Sequence, residues 1–118
     1  MNVLKSGQLL CVRCDDLPWK PSTIAPGVFV KDVAVTDGLE MQIVRLESGA
    51  QLPLHTHECP EFIYVLEGEL TLVLDHRLRT ALPRHAAALY TADRPNRIEN
   101  DGAVPARVIM VFVEGGGR

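Results

Sequence analysis

The sequence predicts an all-β domain, a sandwich or barrel of many short strands. Three observations support this prediction. Apolar and polar residues alternate along most segments, Val, Ile, Leu and Thr fill those segments, and turn residues separate them at an even spacing. The 118 residues are enough for one hydrophobic core, so we expect a single domain over residues 1–118.

The strands follow one another with Gly, Pro, Asn, Asp or Ser between them. In chain order we predict strands at residues 9–13, 28–35, 39–46, 61–66, 70–74, 79–82, 86–90, 97–99 and 106–113. The clearest hairpin lies at residues 66–70, because its tight reversal needs a backbone angle that Gly68 adopts without steric cost. We expect residues 1–26 to form an N-terminal strand and an irregular arm over the barrel, 27–114 the barrel, and 115–118 a flexible tail.

Composition excludes several classes of partner. The formal net charge of −3 argues against nucleic-acid binding, which needs a concentrated basic surface. No apolar segment approaches the roughly 20 residues of a membrane helix, and the N-terminus lacks the pattern of a secretory signal. Three cysteines, an odd number, suit a reducing compartment. We therefore predict a cytoplasmic protein with no nucleic-acid or membrane partner.

The cysteines are predicted to be ordinary thiols. Cys11 and Cys14 form a single CxxC pair, and only Cys59 remains to complete a zinc site that would need a second pair. A thioredoxin-like redox role would need a βαβ context that the strand pattern does not offer. Free cysteine is among the most buried residue types, so we expect Cys59 to fill a small space in the core.

One short stretch concentrates metal-ligating side chains. Alternate side chains of an extended chain share a face, so His55 and His57 point the same way. Pro53 and Pro60 suggest a bend that brings Glu61 round as the next strand begins. Two imidazoles and a carboxylate suit Fe, Mn, Ni or Zn as divalent ions and leave coordination positions open. On spacing alone, the alternative of exposed loop histidines and a surface glutamate stays open.

The same stretch resembles the first motif of the cupins, G-x5-H-x-H-x3-E-x6-G. Gly49, His55, His57, Glu61 and Gly68 match it at every defined position. Cupins are small double-stranded β-helix (jelly-roll) barrels that hold a metal inside the barrel mouth. The resemblance therefore implies a jelly-roll cupin barrel, with the two histidines and the glutamate as metal ligands.

The second cupin motif, G-x5-P-x-G-x2-H-x3-N, is degraded. When its last residue is placed at Asn100, the family's fourth ligand falls on Asn96, and the two glycines and the proline fall on His85, Asp93 and Thr91. A neutral amide oxygen is a poorer ligand than imidazole for late first-row ions. Asn96 would then be a weak or indirect ligand beside an open position, or the barrel would work without metal. We favour a bound metal because the other three ligands are intact.

Other conspicuous residues receive simpler interpretations. His76 falls at a hairpin tip and His85 in a loop, so both are predicted to be solvated. Tyr64 would line either the barrel or a dimer face, because the alternation alone does not decide which. Asn100 is expected to satisfy backbone groups of a turn.

The sequence supports function hypotheses of different classes. The first is a metal-dependent enzyme with dioxygenase-, isomerase- or lyase-like chemistry on a small polar molecule, with Glu61 as both a metal ligand and a catalytic candidate. The aromatic content of 5% offers little stacking, which favours an acidic or dicarbonyl substrate. The second is a non-catalytic binding or sensing module with weak or no metal, and a third is a structural interaction domain.

A homodimer is predicted from the cupin resemblance and from exposed strand edges. Small jelly rolls leave edges that a second copy of the chain can cover. The candidate swapped or pairing elements are residues 104–113 and the N-terminal segment ahead of Val28.

Overall fold

Ten strands make up the fold of the computed structural model, which describes residues 2–54, 60–91 and 95–113. A 3-10 turn at Cys14–Asp16 precedes β1 (Lys20–Pro21), β2 (Val28–Val35), β3 (Leu39–Leu46), β4 (Gln51–Leu54), β5 (Pro60–Glu67), β6 (Leu70–Leu74), β7 (Leu78–Leu82), β8 (Ala87–Thr91), β9 (Asn96–Glu99) and β10 (Ala106–Val113). They form two antiparallel sheets, ordered β1-β2-β3-β10-β5-β8 and β4-β9-β6-β7. This confirms the predicted all-β class.

Within the described ranges, no helix is both long and apolar enough to pass through a lipid bilayer. The predicted tail at residues 115–118 lies outside these ranges, and the single-domain organisation stays a prediction.

The core lies between the two sheets and follows the alternation of the sequence. Along β5 the side chains of Ile63 and Val65 are buried in the core, whereas Phe62 and Tyr64 are exposed on the outer face. Each core side chain of this size stabilises the fold by about 1.5–3 kcal/mol. The sequence alone did not decide which face Tyr64 lies on, and the structure places it on the outer face.

The predicted hairpin at residues 66–70 is wrong, because β5 pairs with β10 and β8 whereas β6 pairs with β7 and β9 in the other sheet. The chain does turn at Gly68, but there it passes from one sheet to the other. Gly68 has a φ of +75°, and a Cβ added there would lie 2.9 Å from the Ala106 Cα and the Pro105 carbonyl oxygen. Both the backbone angle and the close approach of the neighbouring strand therefore require glycine.

The predicted strand at residues 9–13 is wrong. That segment has no regular secondary structure, and the side chain of Leu9 is 88% exposed. The N-terminal region instead contributes β1, in which Lys20 pairs with Val30 of β2. Among the described residues no strand pairs with residues 9–13, so the local alternation does not become a strand.

The N-terminal arm contacts the outer face of the six-stranded sheet. The ammonium of Lys31 lies 4.7 Å from the ring centroid of Trp19 and donates a hydrogen bond of 2.9 Å to the Cys14 carbonyl oxygen. Lys31 is buried, and a buried ammonium requires such partners because it has left water. The arm is thereby fixed to β2 by a polar contact.

Strand β4 was not predicted, because Pro53 was interpreted as the start of a bend. Pro53 instead pairs with Arg97 within β4, which is the edge strand of its sheet. Proline lacks a backbone donor and is tolerated at sheet edges and at the first position of a strand, where Pro60 begins β5. The strand continues to Leu54, which is the last described residue before residue 60.

Candidate metal and substrate site

Glu61 is the first candidate ligand that the structure places. It is the second residue of β5 and is fully buried, at 0% exposure. Its cross-strand neighbours are Tyr90 on β8 and Phe112 on β10. The phenol of Tyr90 donates a 2.7 Å hydrogen bond to Glu61 Oε2. A buried carboxyl group needs such a donor, and this one orients it within the core.

Tyr90 is a site residue that sequence reasoning missed. Burial raises the pKa of its phenol well above the usual value, and the hydrogen bond to Glu61 raises the pKa further. The phenol therefore stays protonated and acts only as a donor toward Glu61. Its partnership with Glu61 depends on the pairing of β5 with β8, which no local pattern in the sequence reveals.

Asn96 is the second candidate ligand. It is the first residue of β9 and lies between Leu54 of β4 and Leu74 of β6. The residue is 8% exposed, and within the part of the chain that the structure describes its Oδ1 has no hydrogen-bond partner. A buried oxygen without a partner costs about 1–3 kcal/mol. Asn96 Oδ1 is therefore suited to accept a hydrogen bond from a bound molecule or to coordinate a divalent cation, as amide oxygens do.

His55, His57 and Cys59 lie outside the described residues, so the predicted two-histidine set stays a prediction. His55 directly follows Leu54, which is the cross-strand partner of Asn96. Over residues 2–54, 60–91 and 95–113, no group of three His, Cys, Asp or Glu side chains could hold a metal ion. The two histidines on which the predicted site depends lie outside those ranges.

A cavity of about 320 Å³ lies between the sheets beside these residues. Most of its wall is apolar, and the lining side chains include Val30, Val44, Leu52, Leu54, Met110 and Phe112. Leu54 is the cross-strand neighbour of Asn96, and Phe112 is the neighbour of Glu61. The cavity therefore adjoins both candidate ligands, and residues 20–24 of the arm form part of its wall.

The outer side of β9 is held by ion pairs. Glu99 is 4% exposed and accepts hydrogen bonds of 2.6 Å from Arg97 Nε and 2.9 Å from Arg79 Nη2. The Arg97 hydrogen bond is the main cause that lowers the pKa of Glu99, and Arg79 adds to it. These contacts fix the strand that carries Asn96 on its inner side.

The remaining candidates behave as the sequence indicated. His76 and His85 are exposed, and His85 Nδ1 lies 3.0 Å from the Tyr64 hydroxyl. Asn100 is buried, and its Nδ2 donates to the carbonyl oxygens of Leu46 and Val104 at 3.0 and 2.9 Å. Asn100 thus satisfies backbone groups of a turn, as predicted.

Comparisons with known proteins agree with this architecture. The Cupin domain family model matches residues 42–112. The polyketide cyclase RemF from Streptomyces resistomycificus superposes with a TM-score of 0.80 at 19% identity, covering 92% of this chain and 81% of that one. No curated protein matches the sequence.

Two further solved structures have the same fold. A RmlC-like cupin from Shewanella frigidimarina has a TM-score of 0.73 at 15% identity, with 89% of this chain and 90% of that chain covered. A sugar phosphate isomerase of the cupin superfamily from Silicibacter pomeroyi has a TM-score of 0.75 at 21% identity, with coverages of 90% and 76%. The predicted resemblance and the jelly-roll fold are thereby confirmed.

Proposed function

The chain belongs to the cupin family, and from that premise we propose that it binds a divalent transition metal and acts on a small organic molecule beside it. Two structural neighbours, a polyketide cyclase and a sugar phosphate isomerase, are enzymes by name. Their identities are low, so they support the fold and not a particular reaction. The reaction we propose is dioxygenase-, isomerase- or lyase-like.

The proposed ligands are His55, His57, Glu61 and Asn96, around Fe, Mn, Ni or Zn. The observation that carries this proposal is the buried Oδ1 of Asn96, which has no hydrogen-bond partner within the described residues. This oxygen belongs to the residue at the family's fourth ligand position. The fully buried carboxyl group of Glu61, oriented by a phenol, supports the same assignment.

The protein's own residues would prepare the substrate. The cavity wall at Leu54, Met110 and Phe112 excludes water and holds an apolar part of the molecule beside the ligand set. The Tyr90 phenol keeps the Glu61 carboxyl group in one orientation. When bound, the metal would supply Lewis acidity toward a substrate oxygen or a place for O2.

A non-catalytic binding or sensing role is the second candidate function. It is favoured by one observation, the presence of Asn96 where the family has histidine. A neutral amide oxygen binds late first-row ions less strongly than imidazole does. In this case the cavity would bind its ligand without turnover, and with weak metal occupancy or none.

Metal analysis of the whole protein tests the proposed site. Protein purified without chelator or metal-affinity resin should contain close to one equivalent of a transition metal, and His57→Ala should lose most of it. Asn96→His should bind the metal more tightly, because imidazole replaces an amide oxygen. His76→Ala is the matched control, because His76 is exposed at a hairpin tip. Substoichiometric metal that His57→Ala does not change would contradict the site.

We further propose a homodimer and keep the cytoplasm as its location. Phe62 and Leu89 are cross-strand neighbours and, with Tyr64, form an exposed apolar outer face next to β8, which ends the six-stranded sheet. Strand β10 was a predicted pairing element, but it lies between β3 and β5 and has no open edge. Edge pairing through β10 is therefore wrong, whereas exchange of residues 104–113 between two copies stays a prediction, as does the N-terminal segment ahead of Val28.

Sedimentation at micromolar concentration tests the dimer. We expect Leu89→Glu to shift the protein toward monomer, because it places a charge in the apolar outer face. Leu78→Glu changes an exposed leucine of the other sheet and should leave the mass unchanged. A monomeric mass for the unmodified protein would refute the proposal.

A further inference from the structure

A second pocket, here called the outer pocket, lies on the outer face of the six-stranded sheet. Its volume is about 490 Å³, and its wall includes Trp19 of the arm, Arg45 of β3, Glu67 of β5, Arg107 of β10 and residues 104–105. Each arginine lies between two buried core residues of its strand, so its side chain points away from the core. A volume of this size is typical of small-molecule sites.

The two arginines of the outer pocket are direct cross-strand neighbours. Arg45 is opposite Arg107, and like charges directly opposite each other destabilise a sheet. Each guanidinium contacts one carboxylate through Nη2, since Arg107 donates to Glu67 at 2.5 Å and Arg45 lies 3.2 Å from Glu47. The Nε–H of each arginine is buried and has no hydrogen-bond partner within residues 2–54, 60–91 and 95–113. The pair therefore keeps donors that a bound acceptor would satisfy.

Positive charge predominates around these two ion pairs. The hydrogen bond and the charge of Arg107 lower the pKa of Glu67 most, and the charges of Arg84 and Arg45 lower it further. Glu67 is therefore ionised at neutral pH, and three arginines act on the two carboxylates of Glu67 and Glu47. Those carboxylates are 56% and 39% exposed, so water screens part of their charge. The balance favours a further anion.

The remaining wall of the outer pocket is apolar. The indole of Trp19 lines it, together with Pro105 and Val104, whose side chain is 60% exposed. The ammonium of Lys31 lies 4.7 Å from the Trp19 ring centroid and adds positive charge beside the indole. The acidic residues nearest in sequence do not line the pocket: Asp15, Asp16 and Glu69. The outer pocket thus combines a donor-rich, cationic wall with an apolar one.

We propose that the outer pocket binds a small organic carboxylate with an apolar body. The carboxylate accepts hydrogen bonds from Arg45 and Arg107 and relieves the repulsion between them, because it places a negative charge beside both guanidinium groups. The apolar body packs on Trp19 and on residues 104–105. Neither Glu61 nor Asn96 lines the outer pocket, so binding there requires neither metal nor turnover.

Trp19 provides the readout, because it is the single tryptophan of the sequence and lines the outer pocket. The full chain is titrated at constant ionic strength with cyclohexanecarboxylate, with its neutral analogue cyclohexanemethanol and with inorganic phosphate, and tryptophan fluorescence is followed. We expect cyclohexanecarboxylate to bind at least about tenfold more tightly than either, because the alcohol lacks the charge and phosphate lacks the apolar body. No saturable change with cyclohexanecarboxylate, or an advantage below tenfold over either compound, would overturn the proposal.

Arg45→Gln and Arg107→Gln test the residue assignment, because each removes one guanidinium from the wall. Each should weaken the binding of cyclohexanecarboxylate by about tenfold and leave that of cyclohexanemethanol unchanged. Arg77→Gln makes the same change at an exposed turn of the other sheet and should keep the affinity. Circular dichroism confirms that the variants are folded. Unchanged affinity in either pocket variant, or an equal loss in Arg77→Gln, would refute the assignment.

Discussion

Two glutamates of this protein are buried in different ways. Glu99, on the outer side of β9, is held by the guanidinium groups of Arg97 and Arg79. Glu61, in the core, is held at Oε2 by the neutral phenol of Tyr90. Two cations neutralise a carboxylate and make it part of the scaffold. The Tyr90 phenol is a neutral donor, so at Oε2 it orients the Glu61 carboxyl group and adds no charge, which suits a proposed metal ligand.

The largest effect is expected from Glu61→Gln, which replaces the proposed ligand with an amide of nearly equal size. Metal affinity should fall by more than the roughly 10–100-fold that loss of an outer hydrogen-bond partner costs. Competition with a chelator of known affinity measures the change, and circular dichroism confirms the fold. Glu99→Gln is the matched control and should keep its metal. If both variants bind metal equally, the distinction between the two glutamates fails.

A smaller effect is expected from Tyr90→Phe, which removes only the hydroxyl that orients Glu61. We expect metal affinity to fall by about 10–100-fold, because an outer partner of a ligand is lost. The same chelator competition measures it. Tyr64→Phe removes the other tyrosine hydroxyl, which lies on the outer face, and should leave metal affinity unchanged. Equal affinities for the two variants would remove Tyr90 from the site.

The control variant has its own effect on stability. Glu99→Gln removes the carboxylate that Arg97 contacts and leaves Arg79 with Asp101, so it should lower the free energy of unfolding by about 1–2 kcal/mol. The loss is moderate because the arginine side chains are 28% and 49% exposed and regain water. Urea denaturation measures it. Glu69→Gln, at an exposed turn position, should change stability little. A loss no larger than that of the turn variant would show that Glu99 is not a scaffold residue.

The smallest expected effect is a change in pH dependence. The pKa of Glu99 is lower in the folded protein than in the unfolded chain, so the unfolded chain binds more protons as the pH falls. The contribution of Glu99 is present above the ordinary carboxyl pKa and is lost as the pH falls through the lowered value. The free energy of unfolding, measured by urea denaturation at several pH values, should therefore depend less steeply on pH between neutral and acidic conditions in Glu99→Gln than in the unmodified protein. If the plots of unfolding free energy against pH were parallel for the two proteins, this assignment would be contradicted.

Strands with a clear alternation of apolar and polar residues were predicted correctly from the sequence. The prediction failed where the presence of a neighbouring strand decides whether a segment becomes a strand. The predicted bounds 28–35, 39–46, 70–74 and 106–113 coincide with β2, β3, β6 and β10. The alternation at 9–13 is similar, but no strand within the described residues pairs with it. Strand β4 contains a proline that only an edge position tolerates. Whether a strand lies at an edge is a property of the sheet and not of its own residues.

The residues of the candidate site were also predicted only in part. The cupin resemblance placed Glu61 and Asn96 at ligand positions, and both are buried in the structure. Tyr90 was not predicted. It acts through Glu61 on a neighbouring strand, and the register between strands is fixed only when the sheets assemble.

The burial of Lys31 beneath Trp19 gives the protein a built-in chemical reporter. The sequence contains three lysines, and Lys5 and Lys20 are exposed whereas Lys31 is buried. An amine-acylating reagent should therefore modify Lys5 and Lys20 in the native protein and spare Lys31. The rate of acylation at Lys31, measured from peptide masses, would report how often the arm detaches from the sheet. Residues 20–24 of that arm form part of the cavity wall, so the same label would report opening of the pocket.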